Sequence, residues 1–164
     1  RAKDKADNQQ FEYEISISSI NFLMDKEVPN TDDIAYPNAD WINLSGKPAT
    51  FDWEGKLTDN LAGAATVQIQ LTRLFEGDTY WWTESTWSST TVKIIDAEYL
   101  SPKAVSPADW AHSMPKSQCH SDLVYKIKVR GYDASLPYGN EEAWDAGYEF
   151  IVDTTPPAFG RLVS

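Results

Sequence analysis

The feature that most constrains the fold is a pair of alternating segments within residues 123–157. From Tyr125 the run YKIKVRG alternates apolar positions with cations, and from Tyr148 the run YEFIVD places Tyr, Phe and Val at every second position. A period of two puts successive side chains on opposite faces of a β-strand. Pro156 and Pro157 then remove two backbone donors, so no strand ladder can continue. The stretch therefore predicts two long strands joined by a polar loop, followed by a hinge into another module.

The same alternation recurs earlier in the chain. It is present at residues 11–22, 51–57 and 67–71, and over shorter lengths at 80–82 and 92–95. No stretch shows a sustained helical period of apolar residues. The sequence therefore predicts an all-β fold, in which about seven strands form two packed antiparallel sheets, a β-sandwich with long loops.

The segments between these runs suggest how the domain is organised. We expect a charged linker or tail at residues 1–10, a single domain at 11–157, and a linker into a following module at 158–164. Residues 24–48 are rich in Pro, Asn and Asp, which predicts a long loop held down by Trp41. Residues 58–63 predict a hairpin-like connection, and the prolines within 101–118 predict irregular structure with at most one helical turn. The start at Arg1 suggests a fragment of a longer polypeptide.

Charge and cysteine content exclude several classes of function. The formal net charge of -11 argues against nucleic acid or an anionic membrane as partner, since both need a basic surface. Cys119 is the single cysteine, so neither an intrachain disulfide nor a cysteine-based zinc site is available. No run of about 18 apolar residues occurs that would insert into a bilayer.

Several short motifs, in this order, carry a family resemblance. They are DNLAG from Asp59, VQIQL from Val67, YW from Tyr80, the strand from Tyr125, and the run FIVDTTPP from Phe150. Over roughly residues 50–157 the chain resembles bacterial immunoglobulin-like or fibronectin-III-like repeats. Such repeats occur in large secreted and surface proteins, including adhesins and cell-envelope subtilisin-type proteases. The resemblance implies an extracellular or cell-surface spacer or interaction module, with no chemistry of its own.

A search for catalytic groups supports the same expectation. The chain has two histidines, His112 and His120. Cys119 and His120 are adjacent, so in an extended segment their side chains point apart. Neither histidine follows a recognisable nucleophile motif, and we expect no enzymatic activity.

Acidic turn residues offer a possible metal site, because calcium takes hard oxygen ligands. The candidates are Asp32, Asp33, Asp59, Asn60, Asp133, Asn140 and Asp145. None has EF-hand spacing. They are either solvated turn residues or ligands of a structural calcium ion between loops or neighbouring domains.

Aromatic residues concentrate around residues 80–87. Tyr80, Trp82 and Trp87 could form a stacking platform for sugar rings or for a protein partner, or they could pack in the core. In a strand Trp81 and Trp82 face opposite sides, so one of them is expected inside and the other outside. The run WTESTWS from Trp82 is similar, apart from its spacing, to the tryptophan-serine box of cytokine-receptor domains.

Three functions remain open at this point. The first is a non-enzymatic spacer and protein-interaction module of a multidomain bacterial surface protein, whose partners are the neighbouring modules. The second is a specific binding module for a host protein, for example a cytokine, or for a glycan. The third is an accessory domain of a cell-envelope protease.

Overall fold

The computed structural model describes residues 24–97, 99–101, 106–135 and 139–154, with backbone alone at 32, 33 and 99–101. Over this range eleven strands form two sheets. They are β1 (Asn30–Tyr36), β2 (Trp41–Asn43), β3 (Thr50–Thr58), β4 (Ala64–Phe75), β5 (Asp78–Trp82), β6 (Trp87–Ser88), β7 (Ile95–Asp96), β8 (Tyr99–Ser101), β9 (Ala108–Pro115), β10 (Val124–Asp133) and β11 (Tyr148–Asp153). The prediction of an all-β two-sheet fold is confirmed, with more strands than the seven expected.

The two sheets differ in size. One has the order β1-β3-β9-β8, and the other has the order β2-β11-β10-β4-β5-β6, with β7 paired to β4. Neighbours are antiparallel except β2, which runs parallel to β11. The ladder between β10 and β4 extends from Val124 opposite Leu74 to Asp133 opposite Ala64. β10 also pairs with β11, as the alternation in residues 123–157 predicts.

Aromatic rings fill the space between the sheets. The ring centres of Trp53 in β3 and Phe150 in β11 lie 5.2 Å apart. The Phe150 ring stacks on that of Tyr125 in β10, with 5.6 Å between their centres. Tyr125 in turn contacts Trp87. The core positions expected from the alternation are all buried: Trp53, Ile69, Ile127, Val129 and Phe150. The strand phases predicted from the sequence are therefore correct at these positions.

The predicted loop at 24–48 is wrong, since it contains β1 and β2. The sequence of β1 shows no clear alternation of apolar and polar residues. Its buried Thr31 is polar, and its ladder with β3 shifts register twice, so its inward positions do not follow a strict period of two. Trp41 does not hold this segment down, because it is 62% exposed. Ile42 and Leu44 are buried instead, so the opposite phase of the segment faces the core.

The predicted irregular structure at 101–118 is also wrong. Strand β9 occupies Ala108–Pro115 and pairs with β3 along its length. Its inward side chains are Ala108, Trp110, His112 and Met114, an alternation in which a small residue and a histidine replace larger apolar ones. Pro107 precedes the strand, Pro115 ends it, and neither interrupts its ladder.

Two shorter connections also differ from expectation. Residues 58–63 do not form a hairpin, because β3 and β4 belong to different sheets. The expected strand at 92–95 is reduced to Ile95–Asp96, and Val92 and Ile94 are exposed. A tight hairpin joins β4 to β5: Phe75 pairs with Asp78 across Glu76 and Gly77, whose positive φ angles of 53° and 88° suit such a turn.

Several predictions lie outside the described residues. These are the tail at 1–10, the strand at 11–22, the double proline and the linker at 158–164. Among the residues that are described, no helix has the length and apolar character needed to cross a membrane.

The carboxylate of Glu142 joins the two sheets. It accepts hydrogen bonds from the backbone N–H of Thr31 at 3.1 Å and from the Thr31 hydroxyl at 2.6 Å, both in β1. It also accepts a 2.8 Å bond from the N–H of Gly131 in β10. Thr31 is fully buried, so its donors have no access to water once this acceptor is removed.

We expect Glu142→Ala to lower the free energy of unfolding by about 2 to 3 kcal/mol, because buried donors lose a charged acceptor. The matched control is Glu141→Ala. Glu141 makes an ion pair with Arg130 but is half exposed, and such pairs contribute less than about 1 kcal/mol. Urea denaturation of the two variants should separate them clearly, and equal shifts in midpoint would contradict the bridging role of Glu142.

Candidate functional site

Three aspartates from separate parts of the chain meet at one end of the sandwich. Asp25 precedes β1, Asp59 follows β3, and Asp133 ends β10. One carboxylate oxygen of each lies within 4.8 Å of those of the other two. Two of the three, Asp59 and Asp133, are metal candidates from the sequence. The structure brings them together with Asp25, and we call this group the aspartate cluster.

Asp59 is held by the turn that carries the chain from one sheet to the other. Its Oδ2 accepts hydrogen bonds from the N–H groups of Leu61 at 3.1 Å and Gly63 at 2.6 Å. Gly63 has a φ of 74°, which permits this tight return of the backbone. The other oxygen, Oδ1, is buried and has no hydrogen-bond partner among the described residues. A buried carboxylate oxygen without a donor is costly unless a ligand satisfies it.

Asp133 is the most deeply placed of the three, at 2% exposed. Its Oδ1 accepts bonds from the N–H and hydroxyl of Ser135 and from the N–H of Asn140, and its Oδ2 accepts one from the Asn140 side chain at 2.7 Å. Burial acts to raise the pKa of Asp133, but the bonds from Ser135 and Asn140 outweigh it and hold the pKa below its usual value. The carboxylate is therefore held in its charged form, with Oδ2 able to accept a further ligand.

Asp25 completes the group and is missing from the sequence prediction. Its Oδ1 accepts the N–H of Glu27 and its Oδ2 accepts the N–H of Ala62 at 2.9 Å. Its carbonyl oxygen accepts a bond from the Asn140 side chain, 115 residues further along the chain. Only the fold brings such distant segments together, and no local pattern around Asp25 indicates a ligand.

The dimensions of the aspartate cluster suit a hard divalent cation. Calcium binds oxygen at about 2.3 to 2.6 Å, so two oxygens on opposite sides of one ion lie about 5 Å apart. The carboxylate oxygens of the cluster lie within 4.8 Å of one another, so they can surround one such ion. Without a cation, three carboxylates at this separation repel one another. The arrangement can therefore bind a cation through carboxylate oxygens, with carbonyl oxygens or water completing its coordination.

Two further metal candidates do not share these features. Asn60 is exposed in the turn next to Asp59. Asp145 lies in the segment between β10 and β11, where its Oδ1 accepts the N–H of Val129 at 3.3 Å and takes the place of a strand partner. Burial raises the pKa of the Asp145 carboxyl, and the bond from Val129 opposes this. Asp145 lies outside the aspartate cluster, and its role as a metal ligand stays a prediction.

The aromatic segment packs against the core through Trp82 and Trp87. Trp82 is 1% exposed and lies 5.5 Å from Trp87, with which it pairs across β5 and β6. Tyr80 and Trp87 are half-buried on the same inner side, and Trp81 takes the opposite side of β5. The prediction that Trp81 and Trp82 lie on opposite faces of the strand, with one of them inside, is confirmed. Trp82 is a core residue and is therefore inaccessible to a ligand on the surface, which corrects its assignment to a binding platform.

Arg73 lies against this aromatic segment. Its guanidinium carbon is 4.6 Å from the centre of the Trp87 ring and 5.6 Å from that of Tyr80. It stands opposite Tyr125 in the ladder between β4 and β10. The half-buried guanidinium therefore stacks on aromatic faces and interacts with the Tyr125 hydroxyl.

Cys119 is a packing residue. It is 6% exposed, and its sulfur contacts that of Met114 at 3.9 Å. Burial raises the pKa of its thiol to about 12. At neutral pH the reactive thiolate is therefore almost absent.

Comparison with known proteins assigns no family to this chain. No protein-family model matches it, and no curated protein matches it either. Its function is therefore inferred from the fold and from the contacts within it.

Proposed function

We propose that the chain is a non-enzymatic β-sandwich module of a larger extracellular or cell-surface protein, serving as a spacer and protein-interaction surface. Its partners are the neighbouring modules of the same polypeptide. One end of the module is fastened by a calcium ion bound at the aspartate cluster. The observation that carries this proposal is the convergence of Asp25, Asp59 and Asp133 within 4.8 Å.

The position of the cluster explains what a bound ion would do. Asp25 belongs to the segment that enters β1, Asp59 to the connection between the two sheets, and Asp133 to the end of the longest ladder. An ion held by all three carboxylates would tie these segments together at one end of the sandwich. A spacer that transmits force or orientation between modules benefits from a rigid end of this kind.

Calcium is favoured over magnesium and zinc by the chemistry of the ligands. The cluster has only oxygen ligands, which zinc takes less readily than nitrogen or sulfur. Magnesium demands near-ideal octahedral geometry, whereas calcium accepts irregular sets of six to eight oxygens. Extracellular modules bind calcium at about 10⁻⁴ to 10⁻³ M, which three carboxylates on separate segments can achieve.

Thermal unfolding should test the proposal directly. A ligand that binds only the folded state raises stability by about 2.7 kcal/mol at a hundredfold excess over its dissociation constant. We therefore expect the wild type to melt at a higher temperature in calcium chloride than in EDTA. Superimposable curves would overturn the calcium site, and an equal effect of magnesium would show that the site does not prefer calcium.

Asp59→Asn is the variant that isolates the cation. The Asn oxygen can still accept the N–H groups of Leu61 and Gly63, while the amide replaces the unpartnered Oδ1. We expect this variant to lose the calcium response and, in EDTA, to be at least as stable as the wild type, since one repelling charge is removed. Asp145→Asn is the control, because Asp145 lies outside the cluster, and it should keep the full calcium response.

Binding of an external partner is the second candidate function. Trp82 is buried and offers no surface to a glycan or a host protein, whereas Tyr80 and Trp87 are half-buried and keep part of their rings exposed for such a partner. The accessory-domain role in a protease requires the same fold and would be decided by the sequence that flanks this module.

A further inference from the structure

A row of apolar side chains crosses the outward face of the larger sheet. It runs over four neighbouring strands, β2, β11, β10 and β4, and consists of Trp41, Ile151, Val124 and Leu74. Each member stands opposite the next one in the strand ladders, so all of them lie at one level of the sheet. We call this row the apolar stripe.

The apolar stripe faces solvent and is not part of the core. Trp41 is 62% exposed, Leu74 47% and Val124 37%, and Ile151 between them is half-buried. The inward phase of the same strands is covered, as the fully buried Tyr125 next to Val124 shows. Three strand spacings of about 4.8 Å make the stripe about 14 Å long. Single exposed apolar residues are common, but a contiguous exposed row of them marks an interaction surface.

The charges beside the stripe are balanced. One step along the strands, Lys126 of β10 stands opposite Glu149 of β11, with 3.0 Å between Nζ and Oε1. On this face the described strands carry as many cations as acids, namely Lys126, Lys128 and Arg130 against Glu149, Asp153 and Asp96. The whole chain has a net charge of -11. A second copy can therefore approach this face without the repulsion that the rest of the acidic surface would impose.

The pattern on this face is complementary to itself. A two-fold axis that runs between β10 and β11, parallel to the strands, exchanges these two strands when the face meets a second copy. It places Val124 of one copy against Ile151 of the other, and Lys126 of one copy against Glu149 of the other. In such an isologous contact residue i meets residue j and j meets i. Packed sheets keep their strands within about 30° of one another, so these central pairs stay close.

We propose that the outward face of the larger sheet, centred on the apolar stripe, docks a second copy of this chain in a two-fold symmetric dimer. The apolar side chains leave water at its centre, and the two Lys126–Glu149 pairs join into one group of alternating charges. The small area makes the dimer weak, so it forms where copies of the module are concentrated. The inference deepens the protein-interaction part of the proposed function and rests on that part alone. The calcium site is tested by melts and this face by sedimentation, so that either can fail without the other.

Sedimentation equilibrium of the full chain in EDTA, over a series of concentrations, tests the dimer. We expect the mass to rise from that of a monomer toward that of a dimer, with a dissociation constant between about 10 μM and 1 mM. Val124→Asp places a charge in the middle of the stripe and should weaken association at least about tenfold. Val92→Asp is the matched control and should associate as the wild type does, because Val92 is 57% exposed in the connection between β6 and β7, outside the stripe.

Lys126→Glu and Glu149→Lys test the two-fold arrangement itself. Each variant alone sets like charges against each other, within the chain and across the interface, and should associate at least about tenfold more weakly than the wild type. In an equal mixture, each copy of one variant faces the opposite charges of the other, and association should recover. The pair within the chain is broken in both variants, so a change in stability alone does not produce this recovery.

Three results would overturn the proposal. The first is a monomer at every concentration up to about 1 mM, which would leave the stripe to a neighbouring module of the polypeptide. The second is unchanged association of Val124→Asp, which would place the contact on another surface; Trp41→Ala serves if Val124→Asp does not fold, since it removes the most exposed ring of the stripe. The third is a mixture of the two charge variants that does not associate while the wild type does, which would show that β10 does not face β11 of the second copy.

Discussion

Truncation of Trp82 to alanine should lower the free energy of unfolding by about 3 to 5 kcal/mol. Trp82 is 1% exposed and packs against the ring of Trp87 between the sheets. Removing the indole leaves a cavity beside the Trp87 ring, which the hydrogen bond from its Nε1 to the Gln118 carbonyl holds in place. Urea denaturation followed by fluorescence of the remaining tryptophans measures the change.

Trp81→Ala is the control for this experiment, since the two residues are neighbours on one strand and point to opposite sides. Trp81 is half-buried and faces away from the core. Its loss should cost clearly less than the loss of Trp82. A wild-type melt for Trp82→Ala would show that Trp82 is accessible, and would return it to the candidates for ligand contact.

This pair of residues illustrates what alternation can and cannot predict. A period of two shows that Trp81 and Trp82 lie on different faces, but it does not show which face is covered. The pairing of β5 with β4 decides this, because Trp81 stands opposite Thr72 on the outer side. Such register depends on strands that meet only in the folded chain.

Strands with mixed composition were the ones that the sequence did not predict. The inward side chains of β9 are Ala108, Trp110, His112 and Met114. The prolines at its two ends are typical of loops, so the sequence indicated irregular structure. Strand β1 buries Thr31, whose polar groups are satisfied by Glu142. In both cases tertiary contacts stabilise an element whose local pattern is weak.

The aspartate cluster was predicted in part for a similar reason. Asp59 is recognisable as a turn residue that bonds its own backbone, and the structure shows those bonds to Leu61 and Gly63. Asp133 lies at the end of a strand that the alternation identifies. Asp25 has no such signal, and it joins the group because the chain before β1 passes the end of β10.

Replacing Ile127 by alanine should lower the free energy of unfolding by about 2 to 5 kcal/mol. Ile127 is fully buried in the middle of β10, where it stands opposite Leu71 on β4 and Tyr148 on β11. Because β10 is paired on both sides, its backbone has little freedom to move into the space left by the side chain. The free energy lost with the buried apolar surface and the cost of the remaining cavity therefore add.

Lys128→Ala tests the same strand from its other face. Lys128 is only half-buried and follows Ile127 directly, so its truncation removes exposed methylenes and a solvated charge, at a cost within about 0.5 to 1 kcal/mol. Denaturant midpoints of the two variants should therefore lie far apart, with unchanged slopes. If they coincided, the inward face of β10 would be assigned to the wrong residues, and with it the side of the sheet on which Arg73 and Tyr125 meet.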